Sequence, residues 1–166
     1  VNWDDVYDLA SLTKILSTIP LMMIEFEKKK YNLNTTLSKL LPNIDLGDKH
    51  QLTIKEMFSH HSGLYPWIPF YKKTLDTIIN KPSKDWYHSK KAGDFEIKVS
   101  DNLFLKKTFL DTIQKNIISS ELSQKKEYVY SDLPFYLMKI YLEKLNSSDL
   151  DLQIKKKFLN TLGANY

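Results

Sequence analysis

The sequence predicts a mainly α-helical fold, and three observations support this prediction. Apolar residues recur at helical spacing over most of the chain. Segments with the alternating, β-branched pattern of a strand are short and few. The chain has 166 residues, of which 42% are hydrophobic, so it is long enough to enclose a sizeable core. We therefore expect a single folded unit over residues 1–166.

The first predicted helix covers residues 11–30, and Pro20 is expected to bend it because proline cannot donate a backbone hydrogen bond. Apolar residues fall near one face of this helix and are expected to be buried. They are Leu12, Ile15, Ile19, Met22, Met23 and Phe26.

Shorter helices are predicted downstream. One covers residues 35–41, and another covers 53–60 and begins with a capping box in which Thr53 and Glu56 satisfy each other's backbone donors. The remaining helices are expected at residues 70–80, 107–119, 132–145 and 151–159.

Strand signals are confined to two segments. Residues 95–99 alternate and are β-branched, and residues 127–130 resemble a short extended approach to the next helix. Two strands of this length cannot form a stable sheet by themselves. Residues 65–127 combine prolines, lysines and little periodicity, so we interpret them as an insert within the domain, of the kind that can serve as a lid.

Charge and composition exclude several classes of function. All 24 basic residues are lysines, scattered among 20 acidic residues, whereas nucleic-acid-binding proteins concentrate positive charge and use arginine. We therefore expect no nucleic-acid partner. No segment reaches the roughly 18 apolar residues of a membrane span, and the first residues lack the pattern of a signal peptide. The absence of cysteine excludes a thiol nucleophile and a disulfide framework.

Two Ser-x-x-Lys pairs place a hydroxyl and an amine one helical turn apart, as acyl transfer by a serine nucleophile requires. Ser11 and Lys14 lie at the start of an apolar helix that could anchor them, whereas Ser123 and Lys126 lie in a polar linker. Ser11 also suits an ordinary helix N-cap, with Lys14 on the surface. The spacing alone leaves both interpretations open.

Adjacent histidines at His60 and His61 raise the question of a metal site. Neighbouring residues at a helix end point to different sides, and no further histidine or carboxylate cluster accompanies them in the sequence. We expect no metal and no cofactor. The segment from His60 to Gly63 is instead expected to be a turn that closes a helix, with Gly63 at positive φ.

Three ordered motifs carry a resemblance to a known family. Residues 7–14 read YDLASLTK and resemble the nucleophile segment of the serine beta-lactamase and penicillin-binding-protein superfamily, in particular its branch of class C beta-lactamases, D,D-peptidases and esterases. Residues 52–64, LTIKEMFSHHSGL, are similar to that branch's L-T-I-x-x-L-L-T-H-T-S-G-L segment. Tyr130-Ser131-Asp132 stands where the branch has Tyr-x-Asn, and residues 158–164 resemble its F-x-x-P-L-G-M segment.

The resemblance implies a role for each matching residue. Ser11 would be the nucleophile and Lys14 its partner, Tyr130 would shuttle a proton between serine and leaving group, and Asp132 would orient substrate and lysine. The substrate would be an amide or ester: a cell-wall D-alanyl peptide, a beta-lactam or a simple ester. The chain would be the helical subdomain of an α+β fold whose sheet lies mostly outside this sequence.

The aromatic residues of the insert are expected to wall the substrate cleft, although burial in a local core explains them equally well. The three assigned to substrate binding are Trp67, Phe70 and Tyr71. Residues 67–75 also resemble a Bacteroidetes subgroup in which such a module follows a family-three glycoside hydrolase on one polypeptide.

The sequence departs from the family pattern in two places. No Lys-Thr-Gly or His-x-Gly motif follows Tyr130, and Asp132 replaces an asparagine, so an amide that donates and accepts becomes a carboxylate that only accepts. One rival interpretation is therefore a non-catalytic module that binds cell-wall peptide or a protein. Another is a helical domain whose motifs arise by coincidence.

The family implies a periplasmic or cell-envelope location in a bacterium. It also implies that residues 1–166 alone lack a strand that supplies an oxyanion donor, so we expect no turnover by the isolated chain. The apolar surface left uncovered would favour a homo-oligomer of that isolated chain.

Overall fold

The computed structural model describes residues 2, 5 and 7–164. Within these residues the chain forms six α-helices, two π-helical turns, two 3-10 turns and one small sheet. The α-helices are α1 (Ile19–Glu27), α2 (Leu37–Leu40), α3 (Ile54–Phe58), α4 (Phe109–Ser119), α5 (Leu133–Asn146) and α6 (Leu150–Ile154). The π-helical turns cover Lys14–Thr18 and Lys155–Leu159, and the 3-10 turns cover Gly47–Lys49 and Phe70–Thr74.

The core is built around α5, whose buried side chains include Leu133, Leu137 and Met138. Buried residues of α1 to α4 pack against the same cluster, and the side chains that α1 contributes are Leu21 and Met22. The capping box at the start of α3 is confirmed. The Thr53 hydroxyl accepts the Glu56 N–H at 3.2 Å, and the Glu56 carboxylate accepts the Thr53 N–H at 2.9 Å.

The first helix differs from its prediction in shape and in the face that it buries. It widens into a π-helical turn over Lys14–Thr18, which ends two residues before Pro20, and Pro20 has no N–H to donate to the carbonyl of Leu16. This wider turn changes the phase between the residues on its two sides. Of the six apolar residues expected on one buried face only Met22 is fully buried, and Leu12, Ile15, Met23 and Phe26 are exposed.

The expected helix over residues 70–80 is wrong beyond its first turn. Only Phe70–Thr74 is helical, as a 3-10 turn. The Asp76 carboxylate then accepts the backbone N–H groups of Ile78 and Ile79 at 2.9 and 3.1 Å, which closes a local turn. Aspartate side chains compete with helix formation in this way.

The sheet has three antiparallel strands, β1 (Tyr87–His88), β2 (Phe95–Ser100) and β3 (Leu103–Lys106), in the order β1-β3-β2. The strand predicted at 95–99 is confirmed as β2. The strand predicted at 127–130 is wrong, because this segment has no ladder of its own. Its Val129 N–H instead donates to the His60 carbonyl at 2.8 Å, which is the backbone hydrogen bond that joins it to the turn after α3.

Within the described residues, none of the helices combines the length and the apolar character that crossing a membrane requires.

Candidate active site

Ser11 and Lys14 are brought together by the tight start of the first helix. The Asp8 carboxylate accepts the Ala10 N–H at 2.8 Å, and Ala10 takes a positive φ of 44°. The helix begins immediately after this turn, so Ser11 and Lys14 lie on one side of it. Lys14 Nζ donates to Ser11 Oγ at 2.9 Å.

Asp132 reaches the same lysine from a distant part of the chain. It occupies the N-cap position of α5, and its Oδ1 lies 2.6 Å from Lys14 Nζ. Burial lowers the pKa of the Lys14 ammonium, but hydrogen bonds to Asp132 and Tyr130 more than offset this effect. The pKa of Lys14 therefore lies above its usual 10.5, and the side chain is a cation at neutral pH.

Tyr130 completes the cluster. The centre of its ring lies 5.0 Å from Lys14 Nζ. Hydrogen bonding to Lys14, and to a smaller extent to Ser11, lowers the pKa of the Tyr130 phenol below its usual 10.0. The negative charge of Asp132 acts in the opposite direction but does not cancel this effect. The four side chains for which the sequence predicts a catalytic role thus meet at one place.

A second layer, which the sequence analysis did not assign to the site, holds the Tyr130 segment in place. The His60 ring packs against Tyr130 with centroids 4.6 Å apart, and its Nδ1 lies 3.1 Å from the Ser131 N–H. The buried Ser131 hydroxyl donates to the Tyr65 carbonyl, and the Asp132 N–H donates to the Pro66 carbonyl at 2.8 Å. The signal that could have identified this layer is the pairing of the His60-to-Leu64 motif with the Tyr130 motif.

A pocket of about 380 Å³ opens beside the cluster. Ser11, Lys14 and Asp132 line it together with two aromatic residues of α5, Phe135 and Tyr136. The lining therefore combines a hydroxyl, an ion pair and apolar ring surface, the mixture that is typical of sites for small organic ligands.

The aromatic residues of the insert do not line this pocket. Phe70 is buried and packs edge-on against Tyr136 at 5.5 Å between centroids, so its ring contributes to the core and presents no face to a ligand. Trp67 and Tyr71 are each more than half exposed, and the pocket beside Ser11 is lined by neither.

The second Ser-x-x-Lys pair does not form a contact like that of the first. Ser123 Oγ bonds to the backbone of Lys125, while Lys126 Nζ lies 3.4 Å from Glu56 and 3.3 Å from the Ser62 carbonyl. Over residues 2, 5 and 7–164, the structure contains no group of three or more acidic or histidine side chains arranged to hold a metal ion.

A family model described as Beta-lactamase matches residues 1–165. The chain therefore belongs to the Beta-lactamase family, and the predicted resemblance to the serine beta-lactamase and penicillin-binding-protein superfamily is confirmed. No curated protein sequence matches the chain significantly.

Two solved structures share the fold. FmtA from Staphylococcus aureus is 20% identical with a TM-score of 0.58, and the match covers 91% of this chain and 34% of FmtA. A candidate beta-lactamase from Bacteroides dorei is 13% identical with a TM-score of 0.61, and the match covers 97% of this chain and 39% of that protein. The chain thus spans between a third and two fifths of the length of these neighbours.

Proposed function

We propose that this chain carries the nucleophile and the proton-transfer groups of a serine hydrolase of the beta-lactamase and D,D-peptidase type. The substrate is an amide or ester: a cell-wall D-alanyl peptide, a beta-lactam or a simple ester. The reaction passes through an acyl-Ser11 intermediate. The observation that supports this proposal best is the single contact chain from Ser11 Oγ to Lys14 Nζ at 2.9 Å and on to Asp132 Oδ1 at 2.6 Å.

The electrostatics favour Tyr130 over Lys14 as the group that accepts the serine proton. A lysine must be neutral to act as a base, and the raised pKa of Lys14 keeps it charged. The lowered pKa of Tyr130 makes its phenolate more accessible. Lys14 then acts as a fixed positive charge that stabilises both the Tyr130 oxygen and the developing Ser11 alkoxide.

The proposed reaction has two halves. Ser11 Oγ bonds to the substrate carbonyl carbon while its proton passes to the Tyr130 oxygen. The tetrahedral intermediate then breaks its bond to the leaving nitrogen or oxygen, which takes the proton from Tyr130. In the second half, water bonds to the carbonyl carbon of the acyl-Ser11 ester and gives a proton to the Tyr130 oxygen. The bond from that carbon to Ser11 Oγ then breaks, Tyr130 returns the proton to Ser11 Oγ, and the acid is released.

Charge on the tetrahedral intermediate also needs hydrogen-bond donors. The resemblance assigns one donor, the Ser11 N–H, to this chain and a second to a strand that carries Lys-Thr-Gly or His-x-Gly. Loss of one such donor costs about a hundredfold to a thousandfold in rate. We therefore expect residues 1–166 alone to show no turnover, and we place the activity in a longer protein that contains them, in the bacterial periplasm or cell envelope.

Covalent labelling tests the proposal. The intact protein that contains these residues is incubated with fluorescent penicillin and, separately, with a fluorophosphonate, and its peptides are analysed by mass spectrometry. We expect a mass increment on Ser11 that is lost in Ser11→Ala. Ser123→Ala is the matched control, because Ser123 belongs to the other Ser-x-x-Lys pair and should leave labelling unchanged. An intact protein that binds substrate but never carries a label on Ser11 would favour the non-catalytic binding module.

A further inference from the structure

His60 contacts the Tyr130 segment through three separate groups. Its backbone carbonyl accepts the Val129 N–H at 2.8 Å, its Nδ1 faces the Ser131 N–H at 3.1 Å, and its ring packs against Tyr130 at 4.6 Å between centroids. The residues before, after and at Tyr130 are therefore all held by one residue at the end of α3.

The hydrogen bond to Ser131 determines the protonation state of His60. A backbone N–H can only donate, so Nδ1 must offer a lone pair to it. The ring is then the neutral tautomer that carries its proton on Nε2. A doubly protonated His60 would turn two N–H groups toward each other and lose this bond.

The surroundings of His60 favour the neutral form. Burial lowers the pKa of His60 below its usual 6.5, the positive charges of Lys14 and His61 lower it further, and the Asp132 carboxylate acts in the opposite direction. Tyr128 and Tyr130 are the other titratable side chains against the ring. The neutral ring therefore persists at pH 7 and down into mildly acidic solution.

The backbone at His60 restricts what can replace it. Its φ is +59°, in the left-handed region where asparagine and histidine are enriched among non-glycine residues. Asparagine also places its Oδ1 close to where histidine has Nδ1. Asn is thus a replacement that fits the backbone and keeps the acceptor but lacks the ring.

We propose that His60 is a positioning residue for the acyl transfer described above: its neutral imidazole fixes the Tyr130 segment against Ser11 and Lys14, and protonation of Nδ1 releases that segment. The expected effect of His60 on the rate of Ser11 acylation rests on the proposed function. The contacts by which His60 orders residues 128–133 do not depend on that function, and the order of this segment can be measured without substrate.

Two variants of the intact protein separate the acceptor from the ring. His60→Asn keeps the acceptor, and His60→Phe keeps an aromatic ring but leaves the Ser131 N–H without a partner. The rate of Ser11 labelling is measured from pH 4.5 to 8. Titration of the Tyr130 base lowers the rate with acid in every variant. We expect the wild-type rate to fall more steeply than this below pH 6.5, His60→Asn to lose this additional fall, and His60→Phe to be about tenfold slower or more throughout.

Hydrogen exchange of the peptide that spans residues 128–133 gives a readout independent of activity. After correction for intrinsic exchange, we expect this peptide to exchange about tenfold faster in His60→Phe than in the wild type at pH 7, and to stay protected in His60→Asn. In the wild type, protection should also fall with acid. His50→Phe is the control, because the His50 ring bonds to the Gly47 carbonyl and should leave this peptide unchanged.

The outcomes distinguish this inference from the proposed function. Equal protection of residues 128–133 in the wild type and His60→Phe overturns the positioning role, whether or not Ser11 is labelled. An additional fall below pH 6.5 that persists unchanged in His60→Asn overturns the protonation step. A wild type that never labels Ser11, with the exchange pattern as expected, contradicts the proposed function alone. Melting temperatures of both variants check that the fold is retained.

Discussion

The Lys14 ammonium lies 2.6 Å from the Asp132 carboxylate. This ion pair connects the first helix to the start of α5, which is distant from it in sequence. The Lys14 side chain is 14% exposed and that of Asp132 is 37% exposed, so the pair is partly shielded from solvent. Asparagine, which the family pattern has in place of Asp132, would carry no charge. The aspartate therefore changes the electrostatics of the site without changing its shape.

Asp132→Asn is expected to shift the pH dependence of Ser11 acylation to lower pH. The carboxylate raises the pKa of Lys14 through a hydrogen bond and opposes the lowering of the Tyr130 pKa. Its removal lowers the pKa of both groups, so an effective base is present at lower pH. The measurement is the labelling rate of the intact protein from pH 6 to 10.

The matched control is Asp101→Asn, which breaks an exposed ion pair with Lys98 at 2.8 Å and should leave the profile in place. An Asp132→Asn profile that coincides with the wild-type profile, or that moves to higher pH, contradicts the prediction.

Much of the local structure could be predicted because its signals are local. The capping box fixes the start of α3, and the Ser-x-x-Lys spacing alone places Lys14 one turn after Ser11. The contact between Lys14 and Asp132 is not encoded by spacing, and only the family resemblance brought the two residues together. The His60 contacts with Ser131 and Tyr130 are non-local in the same way, so no periodicity indicates them.

The sequence predictions that differ from the structure also have specific physical causes. Helical periodicity assumes 3.6 residues per turn, and the π-helical turn over Lys14–Thr18 breaks this assumption before Pro20. The strand β3 reads Leu-Phe-Leu-Lys, which has too little alternation to be recognised. The Asp101-Asn102 turn before it, with Asn102 at a φ of +58°, was the signal that could have revealed the hairpin of β2 and β3.

Trp67→Ala is expected to change substrate kinetics while leaving the melting temperature unchanged. The indole is 56% exposed, so its truncation removes little packing. Trp67 follows Pro66, whose carbonyl accepts the Asp132 N–H at 2.8 Å, and this places it next to the segment that carries Asp132. kcat/KM of the intact protein and its melting curve are the two measurements.

Phe70→Ala provides the contrast, because Phe70 is only 6% exposed and packs on Tyr136. It should lower the free energy of unfolding by about 3–5 kcal/mol. Trp67→Ala with a lowered melting temperature and unchanged kinetics would show that Trp67 belongs to the core and not to a cleft wall.

Gly63→Ala is expected to lower the free energy of unfolding by more than about 2 kcal/mol. Gly63 has a φ of +77°, and a Cβ there would lie 2.3 Å from the Ser123 carbonyl oxygen, so the linker that carries Ser123 must move. Gly93→Ala is the control: its φ is +51° but nothing lies within 4 Å of the added carbon. Denaturant unfolding measures the free energy of unfolding of both variants. An equal loss in the two would show that the close approach of Gly63 to the Ser123 carbonyl does not cause the destabilisation.

Glu25→Gln is expected to destabilise the fold at neutral pH, by an amount that shrinks in acid. Glu25 is 1% exposed in α1, and its carboxylate lies 2.9 Å from Lys28 Nζ and 3.4 Å from Lys157 Nζ, which connects α1 with the last π-helical turn. Burial raises the pKa of Glu25, but hydrogen bonding to Lys28 and the charge of Lys157 outweigh it, so the pKa lies below its usual 4.5.

A carboxylate whose pKa is lowered on folding contributes stability above its unfolded pKa and loses this contribution as pH falls through its folded pKa. The glutamine variant should therefore unfold about 1–3 kcal/mol more easily at pH 7, and the difference from the wild type should narrow below pH 4.5. Glu27→Gln, at an exposed position of the same helix, should show little effect at either pH. A Glu25→Gln deficit that stays constant from pH 7 to pH 3 would show that the loss comes from packing, and that the ion pairs to Lys28 and Lys157 contribute nothing to the free energy of unfolding.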